Sequence, residues 1–248
     1  MSVPEIIKDI VPLLSKFEAL TLEELEAANM LERRDLKFIF PLAKAKIIVS
    51  RLDEHYRVLE VKGYRYTNYE TVYYDTSSFK YYLQHHNENL NRLKIRTRRY
   101  VQSDLTFYEI KSKNNKGWVS KERQLTDSLF LDINKFLGEE FAEGLEPKIK
   151  IDYIRITFLS KSGGEKLTLD FNLNMNHYGP NTHYENLVIA EMKTKDLTRS
   201  IFSNIIKDLN VDPTGISKYC LGVIHTYPEV KHNNFKQKLL KIKKIEQE

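Results

Sequence analysis

An α+β fold built on one dominant antiparallel sheet, closed on itself around a charged interior, is the class this sequence predicts. Strand-like segments follow one another with short turn signals between them, whereas helical spacing is confined to the start, to connecting segments and to the end. Six separate β-like stretches set charged residues on one alternating face and apolar residues on the other, and most of those charges are basic. Lys94, Arg96 and Arg98 share a face, because strand side chains alternate with period two. Glu109, Lys111 and Lys113 do the same, and Arg33, Asp35 and Lys37 line up opposite Leu36, Phe38 and Phe40. A sheet facing water does this once or twice. Repeated this often, it implies a closed sheet lined with Lys, Arg and a few carboxylates, an interior that fits a polyanion.

Residues 4–16, with Ile6, Ile7, Ile10, Val11, Leu13 and Leu14, carry helical apolar spacing. Thr21-Leu22-Glu23-Glu24 is a capping box that opens a second short helix to about Asn29. The first strand spans about 32–40, and Pro41 stands at the first position of a helix whose apolar face is Leu42, Ile47, Ile48 and Leu52. Beyond Gly63 the reading turns to β. A strand over 70–75 precedes a short helix or turn over 76–85. Strands over 92–100, 105–113 and 119–125 form a meander, broken at Ser103-Asp104 and at Asn114-Asn115-Lys116-Gly117. Residues 129–137 read as helical. Strands over 148–160 and 165–173 flank the hairpin signal Lys161-Ser162-Gly163-Gly164, and a last strand over 186–193 precedes a helix from about Leu197 to Leu209. The organisation reads as N-terminal helices over 1–30, a body over 31–228 and a basic helical tail over 229–248, without internal repeats.

With 248 residues, 41% of them hydrophobic, the chain can bury one large core, and 29% charged residues with 15 Tyr and 12 Phe argue against disorder. The single cysteine, Cys220, excludes an internal disulfide and a Cys-based zinc cluster. Neither a leader sequence nor an apolar run near the length of a membrane span is visible, so a cytoplasmic protein with no transmembrane segment is expected. Residues 231–248 hold six Lys against Glu246 and Glu248, nearly the whole net charge of +5. The body is therefore close to neutral, and a basic site there must come from local arrangement. The tail is suited to an acidic partner or a membrane surface.

One Lys or Arg on a strand usually faces water. Here the set carries the argument: Lys37, Arg96, Arg98, Lys111, Lys121, Arg123 and Arg155 each sit in a segment whose other face is apolar. Burying so many like charges in a dry interior would cost several kcal/mol per ion, roughly speaking, and a wet tunnel holding phosphates avoids that. Arg offers phosphate a planar donor fork and Lys a compact charge. Glu109, Asp170 and Glu191 either space these bases as ion pairs or offer oxygen ligands to Mg²⁺ or Mn²⁺. No Walker-type phosphate loop, Ser/His/Asp elbow or metal-ligand spacing among the seven His is visible. Aromatic residues interleave with bases, as around Phe107-Tyr108-Glu109, but the near-neutral body speaks against nucleic acid as a partner.

Eight runs occur in order: LEAANMLERRDLKFIF (25–40), VYYDT (72–76), RLKIRTRRY (92–100), YEIKSKNNKGWVSKER (108–123), YIRITF (153–158), LTLDFNL (167–173), VIAEMKTK (188–195) and GISKYCLG (215–222). Together, over about residues 20–222, they resemble the VTC domain, the polyphosphate polymerase module of the vacuolar transporter chaperone complex, a branch of the triphosphate tunnel metalloenzymes. The resemblance implies an antiparallel eight-stranded tunnel flanked by helices, binding polyphosphate and ATP or another triphosphate with a divalent metal, Mn²⁺ or Mg²⁺. Transfer of the γ-phosphoryl of ATP to a polyphosphate chain is the activity it implies. Carried over by motif, Lys37, Arg96, Arg98, Lys111, Arg155 and Lys218 are catalytic, Lys121, Arg123, Tyr153 and Ser217 bind phosphate, and Glu191 holds the metal. Where the superfamily has E-x-E-x-K, this chain reads Arg33-Arg34-Asp35-Leu36-Lys37, which favours the VTC branch over the hydrolytic CYTH type. Two other readings use the same residues: a triphosphatase or nucleotide hydrolase with water as acceptor, and a non-catalytic polyphosphate-binding module.

Overall fold

Pro12 decides how the chain begins. It has no N–H to continue a helix, and the expected helix over 4–16 is split into a 3-10 turn at Glu5–Ile7 and a single turn, α1 (Val11–Leu14). The computed structural model describes residues 3–28, 34–116, 119–135, 144–176 and 181–248. Two short strands went unread in the sequence: β1 (Glu18–Leu20) precedes α2 (Leu22–Ala27), and β3 (Tyr56–Leu59) pairs parallel with β1. Three or four residues are too few to display alternation. Thr21 and Glu24 form the expected capping box on α2.

β2 (Arg34–Pro41) runs into α3 (Leu42–Ser50), so Pro41 is the N-cap residue and not the first helical one. There follow β4 (Thr67–Asp75), α4 (Lys80–His86) and the meander β5 (Arg92–Tyr100), β6 (Leu105–Lys113) and β7 (Val119–Thr126). Of the helix expected over 129–137, a 3-10 turn at Ile133–Lys135 is present, and 136–137 lie outside the described residues, as do Arg33, Gly117 and Trp118. β8 (Glu146–Ser160) and β9 (Glu165–Asn176) form the long hairpin, β10 (Thr182–Tyr184) adds to β9, and β11 (Leu187–Thr194) leads to α5 (Ile201–Asp208), α6 (Lys218–Thr226) and α7 (Lys236–Glu246).

The main path of the sheet is β2-β11-β9-β8-β4-β5-β6-β7, eight strands antiparallel throughout. The sheet curls but does not close. β2 and β7 are its two ends, and among the described residues no ladder joins them. The edge of β2 is instead occupied by the segment before α6: Phe38 bridges Pro213, and the Thr214 N–H donates to the Lys37 carbonyl at 2.6 Å. Backbone groups spent there cannot also pair with β7.

The outer face of β2, β11, β9 and β8 buries Phe38, Phe40, Val188, Ala190, Leu167, Leu169, Ile154 and Phe158 against the N-terminal turns, α3 and α5. One end of the inner face is apolar too. There Ile39, Ile189, Leu173, Met175, Ile149 and Ile151 pack on Tyr219, Cys220 and Val223 of α6. Gly222 lets that helix come close, since a Cβ at this position would stand 2.8 Å from Ile149 Cγ1. The basic tail does not stand apart: α7 backs α6 with Ile242 and Ile245 buried, and Lys241 donates to Thr214 Oγ1 at 2.8 Å. The rest of the inner face is left to charge.

Candidate functional site

Strand register builds the site. In one ladder Lys37 pairs with Glu191 and Glu191 with Thr168; beside it Asp35 pairs with Lys193 and Lys193 with Lys166. Arg155 stands opposite Asp170, and Tyr153 opposite Tyr69. Further round, Arg98 pairs with Thr71, Arg96 with Tyr73 and with Glu109, Lys94 with Lys111, Glu109 with Arg123, and Lys111 with Lys121. Period-two alternation on eight strands thus places all these side chains on one concave face. The curl brings its two wings together, because Lys37, Lys193 and Glu191 act electrostatically on Lys111, and Lys121 acts on Lys166.

The floor is arginine locked to carboxylate. Glu109, 2% exposed, takes Arg96 at 2.5 Å, with Arg98, Lys121 and Arg123 within 3.9 Å. Burial alone would raise its pKa, but Arg96, Arg98 and Lys121 outweigh that and hold it well below the usual carboxylate range. Asp170 accepts from Arg155 at 2.5 and 2.7 Å and from the Lys218 ammonium, which α6 points into the trough. It too is buried, and these two cations keep it ionised below its ordinary pKa. Arg98 also donates to Thr71 Oγ1 and lies 5.1 Å from the Tyr69 ring, which stacks on Tyr153 at 5.0 Å. Against burial, Arg96, Arg98 and Lys218 lower Tyr73 to about 8.

Lysines dominate the wings. Lys193 reaches Glu191 at 2.6 Å and Asp35 at 3.0 Å, and Lys37 reaches Glu191 at 3.5 Å. Lys94, Lys111 and Lys166 have no carboxylate at ion-pair distance among the described residues. Burial and then the charges of Arg155 and Lys193 push Lys166 down to about 8. Lys111 falls to about 8 as well, through desolvation and the like charges of Lys193, Lys37 and Lys94. Its side chain is nevertheless open to solvent along the trough, so the like charges are the firmer cause. Glu191, though desolvated, is held well below its ordinary pKa by Lys37 and Lys193. Such a wall has cations to spare and hydroxyls to match, since Tyr153 Oη and Thr168 Oγ1 are buried without a hydrogen-bond partner.

A divalent cation would find Glu191 and Asp35 as oxygen donors, both engaged by Lys193. Among the described residues no three His, Cys, Asp or Glu side chains gather into a metal site of their own. Mg²⁺-type ions commonly bind through one or two carboxylates together with phosphate oxygens. The residues present fit an ion that arrives with its phosphate ligand, and they do not fit a resident one.

The structure brings ten of the eleven expected residues, Lys37, Arg96, Arg98, Lys111, Lys121, Arg123, Tyr153, Arg155, Glu191 and Lys218, to this one face or its rim. Ser217 is the N-cap of α6, where its Oγ accepts from the Cys220 N–H at 3.4 Å. Sequence reasoning passed over Lys166, Thr168, Tyr69 and Tyr73. Lys166 and Thr168 share the parity of Asp170, a signal that was there to use.

An eight-strand antiparallel path curled round a basic trough defines the class of fold. The VTC domain profile matches residues 32–227, and the chain belongs to the VTC domain family. No curated protein sequence matches it. Among solved structures it is similar to an adenylyl cyclase candidate from Hippeastrum with a dominant triphosphatase activity, at 12% identity and a TM-score of 0.50, covering 82% of this chain and 100% of that one. It is also similar to an adenylate cyclase candidate from Vibrio parahaemolyticus, at 14% identity and a TM-score of 0.47, covering 77% and 98%. The identities establish likeness of fold and nothing finer.

Proposed function

We propose that the trough binds a chain of phosphates and that the protein transfers the γ-phosphoryl of ATP to polyphosphate. One observation carries the reading: Lys94, Lys111 and Lys166, without a carboxylate at ion-pair distance among the described residues, converge with Lys37 and Lys193 on one wall. Five ammonium groups facing one another repel unless a multivalent anion lies between them. The arginine floor is fixed by Glu109 and Asp170, so it positions phosphates without rearranging, and such preorganised charge is the main catalytic resource in phosphoryl transfer. Lys37, Lys111, Arg96, Arg98, Arg155 and Lys218 would hold the donor and acceptor phosphates in line, with Lys121, Arg123, Tyr153 and Ser217 along the chain. A divalent ion, when bound, offsets charge on the transferred group, and Glu191 is the carboxylate that would hold it. Membership of the VTC domain family supports transfer to phosphate over transfer to water.

Hydrolysis of a triphosphate is the second reading, favoured by the open side of the trough, which admits water, and by the triphosphatase activity of the Hippeastrum protein. Turnover of ATP with Mn²⁺ and a short polyphosphate primer, reading polymer against free phosphate, separates the two. Polymer is the expected product. Free phosphate alone would establish the hydrolase, and tripolyphosphate binding without any turnover would leave a binding module. Arg96→Ala with Arg98→Ala should abolish most tripolyphosphate binding in a folded protein, and wild-type binding by that variant would overturn the trough as the site.

A further inference from the structure

Among the described residues the ion pairs leave over two buried hydroxyls on the charged wall, Tyr153 Oη and Thr168 Oγ1. Thr168 sits on β9 between Glu191 of β11 and Thr157 of β8, on the face that carries Lys166 and Asp170. It is 3% exposed, and its hydroxyl has no hydrogen-bond partner among the described residues. Three other buried threonines of the sheet are satisfied: Thr71 accepts from Arg98, Thr97 donates to the Leu129 carbonyl, and Thr194 donates to the Asp196 carbonyl. An unpaired buried hydroxyl costs stability, and valine would fill the same volume and suit a strand as well. Packing therefore gives no reason for a hydroxyl at 168.

The surroundings supply one. Glu191 is one strand spacing away, about 5 Å, and Lys166 is two residues along the same strand, paired with Lys193. Ammonium groups attract an oxyanion without fixing its direction, whereas a hydroxyl on a rigid strand donates along one line. We infer that Thr168 is a binding residue whose hydroxyl donates to a phosphoryl oxygen lying beside Glu191, orienting the group that the surrounding lysines attract. The inference rests on the function proposed above and adds a residue to which neither the motifs nor the ion pairs point.

Titration calorimetry with tripolyphosphate in EDTA, paired with thermal melts of the ligand-free protein, tests it. Thr168→Val keeps shape and removes the hydroxyl. The expected result is an unchanged or higher melting temperature with binding weaker by about tenfold, while Thr168→Ser stays within about twofold of wild type. A residue that only packs cannot weaken binding while leaving ligand-free stability intact. A folded Thr168→Val protein with wild-type affinity overturns the assignment; should that variant not fold, Thr168→Ala is read in the same way. Wild-type protein that binds no tripolyphosphate would overturn the proposed function and this inference with it, so the two failures are told apart.

Discussion

Glu191 has the least settled surroundings of the three carboxylates on the inner face. Glu109 and Asp170 are 2% and 1% exposed and locked by arginine, whereas Glu191 is 19% exposed and held only by two lysines, whose ammonium groups can turn to a passing phosphate. Glu191→Gln should lower ligand-free stability, because the ionised carboxylate that Lys37 and Lys193 favour is lost and their charges are left facing each other. Metal-free tripolyphosphate should bind several-fold tighter, since removing one negative charge at this range is worth on the order of 1 kcal/mol or more. Metal-dependent ATP turnover should fall by at least about tenfold, the least that losing a charged ligand would cost. Mn²⁺ titrations of turnover, with metal-free calorimetry beside them, check both halves. Wild-type metal dependence would leave Glu191 as an ion-pair partner only. At this scale the sequence was most legible: alternation alone grouped Lys94, Arg96 and Arg98, and the structure keeps them on one face. It could not tell that Glu109 and Asp170 are each ion-paired to an arginine of the neighbouring strand, because cross-strand partners depend on register, which no single strand encodes.

Among the elements, α7 has the largest consequence that its composition hides. Six lysines in the last eighteen residues describe a solvated arm, yet Ile242 and Ile245 fall on one side of the helix and are buried against α6 and the sheet. Truncation after Val230 should lower stability by several kcal/mol, since each buried isoleucine contributes roughly 1.5–3 kcal/mol. It should also uncover the crevice lined by Ile216, Cys220, Leu221 and Ile224, and the buried Cys220 thiol should become reactive to a maleimide. A melting temperature unchanged by truncation, with Cys220 still protected, would show that α7 docks without holding anything. Strands of eight or nine residues and the α2 capping box were readable because periodicity and cap chemistry are local. β1, β3 and β10 were not, since strands of three or four residues exist only by virtue of their neighbours.

Over the whole molecule, crowded ammonium groups tie stability to pH with a definite sign. Lys111 and Lys166 fall to about 8 in the fold from the ordinary 10.5, so between these values the unfolded chain binds more protons than the native one. Stability of the ligand-free protein should accordingly rise from pH 8 towards 10.5 as far as these two groups decide it. Tripolyphosphate reverses the preference by drawing protons back onto the lysines. Its stabilising increment should shrink over the same interval, and binding at pH 8.5 should take up protons. Calorimetry in two buffers of different ionisation enthalpy reads that uptake directly, and its absence would remove these lysines from the anion site. Closure, by contrast, was misread: the residues lining a wall imply an interior but not whether the last strand meets the first. Phe38 and Lys37 hand their edge to Pro213 and Thr214, and β7 ends the sheet unpaired among the described residues. The consequence is topological. A sealed pore must be threaded from a terminus, and a ring or a strand anchored at both ends can never enter it. A furrow with one unstitched flank accepts its guest broadside at any point along its length, so this protein need not wait for a free end.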